Sequence, residues 1–257
     1  MSSYFSESFD NGIGALNHTW GNGIDTSVRG QVTISGNSGI MERPWGDAAG
    51  HGYGTYSITA SMTGNAEGPA ALLWPGNDKW PGPEFDLAEV INGTPYGTMH
   101  FRGSNGGDVY GSVYYTGVDE TKVHTYSLDW QPGSLTFSVD GRVYGGFTDN
   151  VGRDYDHGGI NEVFSIMNRS GGTSITVYDI SYSPSGGGGG GGGGNAVQAE
   201  VTTSGSSTQP ATSVASNGQP AWWPAWEAAW NANHNSGDTS WQGEFWAHVA
   251  AGDYMMA

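Results

Sequence analysis

"VHTYSLDWQPGSLTFSVDGRV", residues 123–143, is the stretch that decides the fold. Tyr126, Leu128 and Trp130 alternate with polar residues, and Leu135, Phe137 and Val139 do the same after Pro132-Gly133. A period of two marks a half-buried β-strand, because successive side chains point to opposite faces. Pro-Gly and Asp-Gly are turn formers. The stretch therefore predicts two strands, with Tyr126 and Trp130 in a core.

Similar short segments lie on either side: QVTI (31–34), YGTYSITASM (53–62), AALLW (70–74), EFDLAEV (84–90), TMHF (98–101), SVYY (112–115), VFSIM (163–167) and TVYDISY (176–182). NG, GG, PG and DG turn signals separate them. No long amphipathic helix pattern interrupts residues 1–184, which argues against parallel βαβ units. Many short strands with Gly-rich turns predict an all-β domain, a jelly-roll β-sandwich of two antiparallel sheets.

Composition narrows the function. The 257 residues carry 25 acidic and 8 basic side chains, a net charge of −17. Such a chain lacks the basic footprint of a nucleic-acid binder and is repelled by anionic membrane surfaces. Cysteine is absent, so there is no disulfide and no thiolate zinc site. No apolar run reaches the ~20 residues of a membrane-spanning helix. The N-terminus, MSSYFSESFD, has neither a basic region nor an apolar run and does not read as an ordinary signal peptide.

At Pro184 the composition changes. Residues 186–194 are nine consecutive glycines, and Ser, Thr, Gln and Pro dominate up to residue 220. Residues 185–220 read as a flexible linker, since such a run loses much backbone entropy on ordering and buries little. Residues 221–257 hold six of the eleven tryptophans, with Trp222, Trp226 and Trp230 spaced four apart on one side of a short helix. The segment is too short for an independent core. It is expected to dock, onto the main domain, another subunit or a glycan.

Chemistry concentrates in "PEFDLAEV", residues 83–90. Glu84 and Asp86 share a face of a strand, whereas Glu89 is out of step. A β-bulge near Leu87–Ala88 would shift the phase and bring Glu89 onto the same face. Phe85, Leu87, Ala88 and Val90 make the strand otherwise apolar, so its acids are expected to face a cleft. A retaining glycosidase uses two carboxyl groups ~5–5.5 Å apart. Four residues along a strand span ~13 Å, so spacing alone does not decide the pairing. A middle carboxylate, Asp86, can hold its neighbours in different protonation states.

The stretch resembles the E-x-D-x-x-E signature of glycoside hydrolase family 16, the laminarinase-like and lichenase-like enzymes. "GYGTYSITASM" (52–62), the opening hairpin and "VYDISYS" (177–183) resemble other strands of that family, in the same order. The resemblance covers residues 4–183 and is to the bulged, laminarinase-like type. It implies a jelly roll with a concave glycan cleft, Glu84 as nucleophile, Glu89 as acid/base and Asp86 as the auxiliary carboxylate between them. It also implies a structural calcium ion held by Asp179 with backbone oxygens around Ser8 and Gly39. No cofactor for catalysis is implied. The sequence departs from the family at Pro83, where glycine is usual, at Phe85-Asp86-Leu87-Ala88, and in the shortened WPGPE (80–84). These departures bear on subsite shape.

Candidate substrate-binding residues flank the triplet. Trp80, in a polar loop, is a sugar platform, and Trp74, ending an apolar run, is either a second platform or core. His100 follows Glu89 by eleven residues and is expected on the neighbouring strand, facing the cleft. No second histidine stands at ligand spacing from it, which argues against zinc. Lys79 and Arg102 lie beside the motif, and Arg43 and Arg169 in segments that could line the cleft. Arginine pairs with carboxylate or sulfate, so these positions suggest an anionic polysaccharide.

The expected activity is endo-acting, retaining hydrolysis of β-glycosidic bonds in a β-1,3-glucan, a galactan or an acidic exopolysaccharide. The rival reading is a non-catalytic carbohydrate-binding or structural jelly-roll module, mounted on a larger assembly through its tail. The expected partners are the polysaccharide and a protein or second copy at residues 221–257. An extracellular location is expected, because such polymers do not enter cells. The ending "GDYMMA" resembles uncleaved C-terminal export signals.

Overall fold

The opening stretch folds as a hairpin. In this computed structural model the strand His124–Gln131 pairs antiparallel with Ser134–Val139, from Tyr126↔Val139 to Gln131↔Ser134. Gly133 takes φ +75°, the left-handed conformation that the second central residue of a Pro-Gly turn requires. Asp140 and Gly141, at φ +50° and +77°, supply the next tight turn. Tyr126, Leu128, Trp130, Leu135, Phe137 and Val139 are all buried.

The structure describes residues 3–64, 66–91 and 93–185. Its strands are β1 (Phe5–Glu7), β2 (His18–Trp20), β3 (Ile24–Asp25), β4 (Val32–Ser35), β5 (Ser38–Met41), β6 (Gly54–Thr63), β7 (Pro69–Pro75), β8 (Glu84–Ile91), β9 (Thr94–Arg102) and β10 (Asp108–Tyr114). They continue with β11 (His124–Gln131), β12 (Ser134–Val139), β13 (Arg142–Phe147), β14 (Glu162–Asn168) and β15 (Ser174–Pro184). A single 3₁₀ turn, Tyr155–His157, precedes β14 among the described residues. The expected linker after Ser185 and the Trp-rich segment 221–257 lie outside the described residues.

The strands form two antiparallel sheets, the jelly-roll sandwich that the alternation predicts. One runs β13-β12-β11-β6-β15-β4-β3, with β1 also pairing β15. The other runs β10-β9-β8-β7-β14-β5-β2. Between them lies one apolar cluster in which Trp130 of the first sheet meets Phe85 of the second at 5.1 Å between ring centroids. Burying such side chains contributes about 1.5–3 kcal/mol each, and here it also fixes the strand that carries the acids.

β7 and β14 are buried along their whole length, and so are Glu84–Val90 of β8. The outer face of these central strands is therefore shielded too, although it carries polar groups.

Candidate active site

β8 does not run regularly. Against β9 its register is Glu84↔His100 and Asp86↔Thr98, then Glu89↔Tyr96. Leu87 and Ala88 together face the single residue Gly97, which is a β-bulge. Against β7 the shift falls at the same point, between Ala71↔Ala88 and Leu72↔Asp86. His100, Thr98 and Tyr96 are alternate residues of β9 and share one face, so their partners Glu84, Asp86 and Glu89 share it as well. The bulge expected from phase alone is present, and all three acids are buried on that face, with 7%, 2% and 3% exposure.

The bulge is held from below. Tyr115, fully buried, donates its hydroxyl hydrogen to the Leu87 carbonyl at 2.6 Å. Gly97 makes room for this contact, because a Cβ there would collide with the Tyr115 hydroxyl and the Phe137 ring.

Two cations brace the acids. His100 Nε2 lies 3.4 Å from Asp86 Oδ2, and His100 Nδ1 lies 3.1 Å from Asp108 Oδ2. Nδ1 is hydrogen-bonded to Asp108, while Nε2 faces Asp86 at ion-pair distance. Burial works against the imidazolium charge, yet the carboxylates of Asp108, Asp86 and Glu84 outweigh it and hold the His100 pKa well above its ordinary value. Arg169, two residues beyond Met167 of β14, reaches Glu89 Oε1 through Nη2 at 3.0 Å. Thr98 donates its hydroxyl hydrogen to Glu89 Oε2 at 3.2 Å.

The two glutamates titrate high. Burial, reinforced by Asp86, raises Glu84 well above the ordinary carboxylate range, with His100 pulling the other way. Burial and Asp86 also push Glu89 up to about 7, against Arg169 and His100. A carboxyl group with that pKa is suited to giving and taking a proton near neutrality.

Aromatic rings extend the surface. Trp74 shares the face of the acids, since its strand neighbours Leu72 and Ala70 oppose Asp86 and Glu89. Trp80 stacks on it at 5.6 Å and 7°, and lies 5.3 Å from His100. Trp74 is thus neither core nor a bare platform: it is buried beneath Trp80, which is the half-exposed ring of the pair. Tyr110, opposite His100, and Tyr114, opposite Tyr96, continue the face on β10 with 42% and 57% exposure.

Among the expected binding residues, Lys79 and Arg102 lie close to this cluster, Lys79 beside Trp80 and Arg102 in phase with His100. Arg43 is exposed in the loop after β5. Arg169 is an ion-pair partner of Glu89 and not a free cation of the cleft. Asp108, Thr98 and Tyr115 had no signal in the sequence, because each acts across a strand pairing.

The residues of the calcium set that the resemblance implies lie on both sheets. Ser8 follows β1, which pairs β15, and burial, with the Glu7 carboxylate, raises the Asp179 pKa. Gly39 belongs to the other sheet, where its open side is covered by the Trp20 ring. The β4–β5 connection crosses between the layers, which puts Gly39 and Asp179 on different sheets. Among the described residues no group of three or more His, Asp or Glu side chains could hold a metal ion.

The model of glycosyl hydrolases family 16 matches residues 46–181, a span that contains the bulged strand, both cations and the hairpin. The chain belongs to glycosyl hydrolases family 16. It is a glycoside hydrolase by that membership. No curated protein matches the chain. Solved structures share its fold. A lichenase from a mouse hindgut metagenome is 16% identical, with a TM-score of 0.54 over 71% of this chain and 100% of that one. A structure from work on endo-acting O-glycanases of the human gut microbiota is 18% identical, with a TM-score of 0.52 over 69% and 97%. The laminarinase catalytic domain of Thermotoga maritima is 16% identical, with a TM-score of 0.51 over 69% and 96%.

Proposed function

We propose that this family 16 chain is an endo-acting, retaining hydrolase of β-glycosidic bonds in a polysaccharide, whether a β-1,3-glucan, a galactan or an acidic exopolysaccharide. The observation that carries the reading is the bulge in β8, which aligns Glu84, Asp86 and Glu89 and leaves Glu89 with a pKa of about 7. Glu84 attacks the anomeric carbon while Glu89 gives its proton to the departing glycosidic oxygen. Glu89, now ionised, takes a proton from water, and the hydroxide equivalent displaces Glu84 from the anomeric carbon. Two inversions return the β-configuration. Asp86 lies between the two, with its Oδ2 3.4 Å from His100 Nε2, and its charge acts on both glutamates. Substrates of this size act outside the cell, and we assign the enzyme there.

The test is a screen of the full chain against neutral and acidic polysaccharides with reducing-end detection, followed by NMR of the first product. Glu84→Gln is expected to lower turnover at least about 10³-fold, as losing a nucleophile does. Normal turnover in that variant, or an initial α-anomer from wild type, overturns the assignment.

A further inference from the structure

A pocket of about 350 Å³ opens beside Trp80, at the end of the sheet where β8 begins and β9 ends. Lys79, Arg102 and Arg153 line it, and no acidic residue does. These are three of the eight basic residues in a chain of net charge −17. All three are exposed, so none is spent on a core contact. Asp108, which stands opposite Arg102 in register, is turned to His100. Pro81, Pro83 and Phe101 add half-buried apolar surface, and Pro83 directly precedes Glu84.

We propose that this pocket binds an anionic substituent of the polysaccharide, a sulfate ester or a uronate carboxylate, on a sugar next to the cleaved bond. The proposal rests on the glycanase reading and names its substrate class. An acidic protein repels an acidic polymer at long range, so an anionic glycan approaches closely only where the local charge is inverted. Three cations around one concave site do that, and two of them are arginines, whose planar fork matches the paired oxygens of sulfate or carboxylate. The apolar residues suit the face of the sugar that bears the group. Gly82 and Gly152 keep the site open, since a Cβ at Gly82 would meet the Lys79 carbonyl at 2.6 Å and one at Gly152 would press on Pro83 at 3.1 Å.

The experiment uses the full-length Glu84→Gln protein, which binds without cutting. Its affinity is measured by calorimetry for neutral β-glucan, sulfated galactan and uronate-containing oligosaccharides of equal length. One anionic set is expected to bind at least about tenfold tighter than the neutral set in ~50 mM salt, with the advantage shrinking at ~1 M, where the Debye length falls to ~3 Å. Which set leads identifies the group as sulfate or carboxylate. Adding Lys79→Ala, Arg102→Ala and Arg153→Ala together is expected to erase the preference. Lys79→Glu alone, a change at an exposed site that leaves folding intact, is expected to weaken anionic binding further than Lys79→Ala. Equal or tighter binding of the neutral set, or a preference that survives the triple substitution, overturns the proposal. If wild type cuts neutral glucans without any anionic preference, the subsite fails and the hydrolase reading stands. If anionic sugars bind through these cations but nothing in the panel is cut, the hydrolase reading fails and the subsite stands.

Discussion

The two sheets present opposite solutions to the same outward problem. On the eight-stranded sheet the outer face of β6 is a row of hydroxyls that pair sideways with their neighbours. Ser57 meets Ser127 at 2.9 Å, Thr59 meets Thr125 at 3.0 Å, and Thr63 meets Ser174 at 2.7 Å. These small neutral groups are partly exposed and satisfy one another or water. On the seven-stranded sheet the equivalent face carries Glu84, Asp86, Glu89 and His100, all less than a tenth exposed. Alternation is the same in both sheets, and so is the core between them. The difference is where desolvation is tolerated. One face costs the fold little, and the other carries Glu84 and Glu89, whose pKa values burial raises.

Removing the acid/base tests the charged face most severely. Glu89→Ala is expected to lower turnover of natural polysaccharide by about 10²–10⁴-fold. Aryl glycosides with good leaving groups need little protonation, so their glycosylation step is expected to suffer far less. Steady-state and burst kinetics on both substrates check this. An equal loss on both would assign Glu89 a role other than proton donor, and the contrast between the faces would then rest on charge alone.

Much of this contrast is legible in the sequence. Tyr126, Trp130 and the Pro132-Gly133 turn announce the hairpin, and the phase of Glu84, Asp86 and Glu89 calls for a bulge. The short edge strands β1, β2 and β3 were not legible, because three or fewer residues carry no measurable period. β5 is disguised by Ser38 and Gly39, and β13 by Gly145 and Gly146, which interrupt the alternation that marks a strand. Within the site, Arg169 was visible as a cation, and its position in phase with Ser165 and Met167 was the available clue to its contact. The pairing of His100 with Asp108 depends on the β9–β10 register, which no local pattern specifies.

The bulge itself can be loosened without touching an acid. Tyr115→Phe deletes the hydroxyl that satisfies the Leu87 carbonyl. Leaving that group buried and unpaired is expected to cost about 1–3 kcal/mol, read as a lower midpoint in denaturant. Turnover is expected to fall as well, because the phase of Glu89 depends on the extra residue. A variant that loses stability but keeps full activity would show that the ladder to β7 and β9 holds the bulge unaided.

A subtler change moves only the pH profile. The Arg169 guanidinium lowers the pKa of Glu89, which nevertheless stands at about 7. Glu89 must be protonated to act as the acid, so activity is present below its pKa and lost above it. Arg169→Gln removes the lowering charge, and the alkaline limb of kcat is expected to move to higher pH while the acid limb stays nearer its place. A limb that stays still or moves down would mean that Arg169 positions the substrate and does not tune the acid.

The smallest effect is expected on the hydroxyl face. Ser57→Ala and Ser127→Ala each remove one partner of a pair that is half-buried near water. The hydroxyl left behind turns to solvent, so neither change strands a buried polar group. A cross-strand hydroxyl pair contributes about 0.2–1 kcal/mol, and the double-mutant cycle in urea is expected to return a coupling within that range. Turnover is expected to remain that of wild type. The acids lie on the other sheet with the apolar cluster between, and a close-packed core passes on a change of volume far more readily than a change of hydrogen bonding at its outer surface. If Ser57→Ala alters kcat by more than about twofold at unchanged stability, the two faces are coupled through the sandwich, and the passive role given to the eight-stranded sheet is wrong.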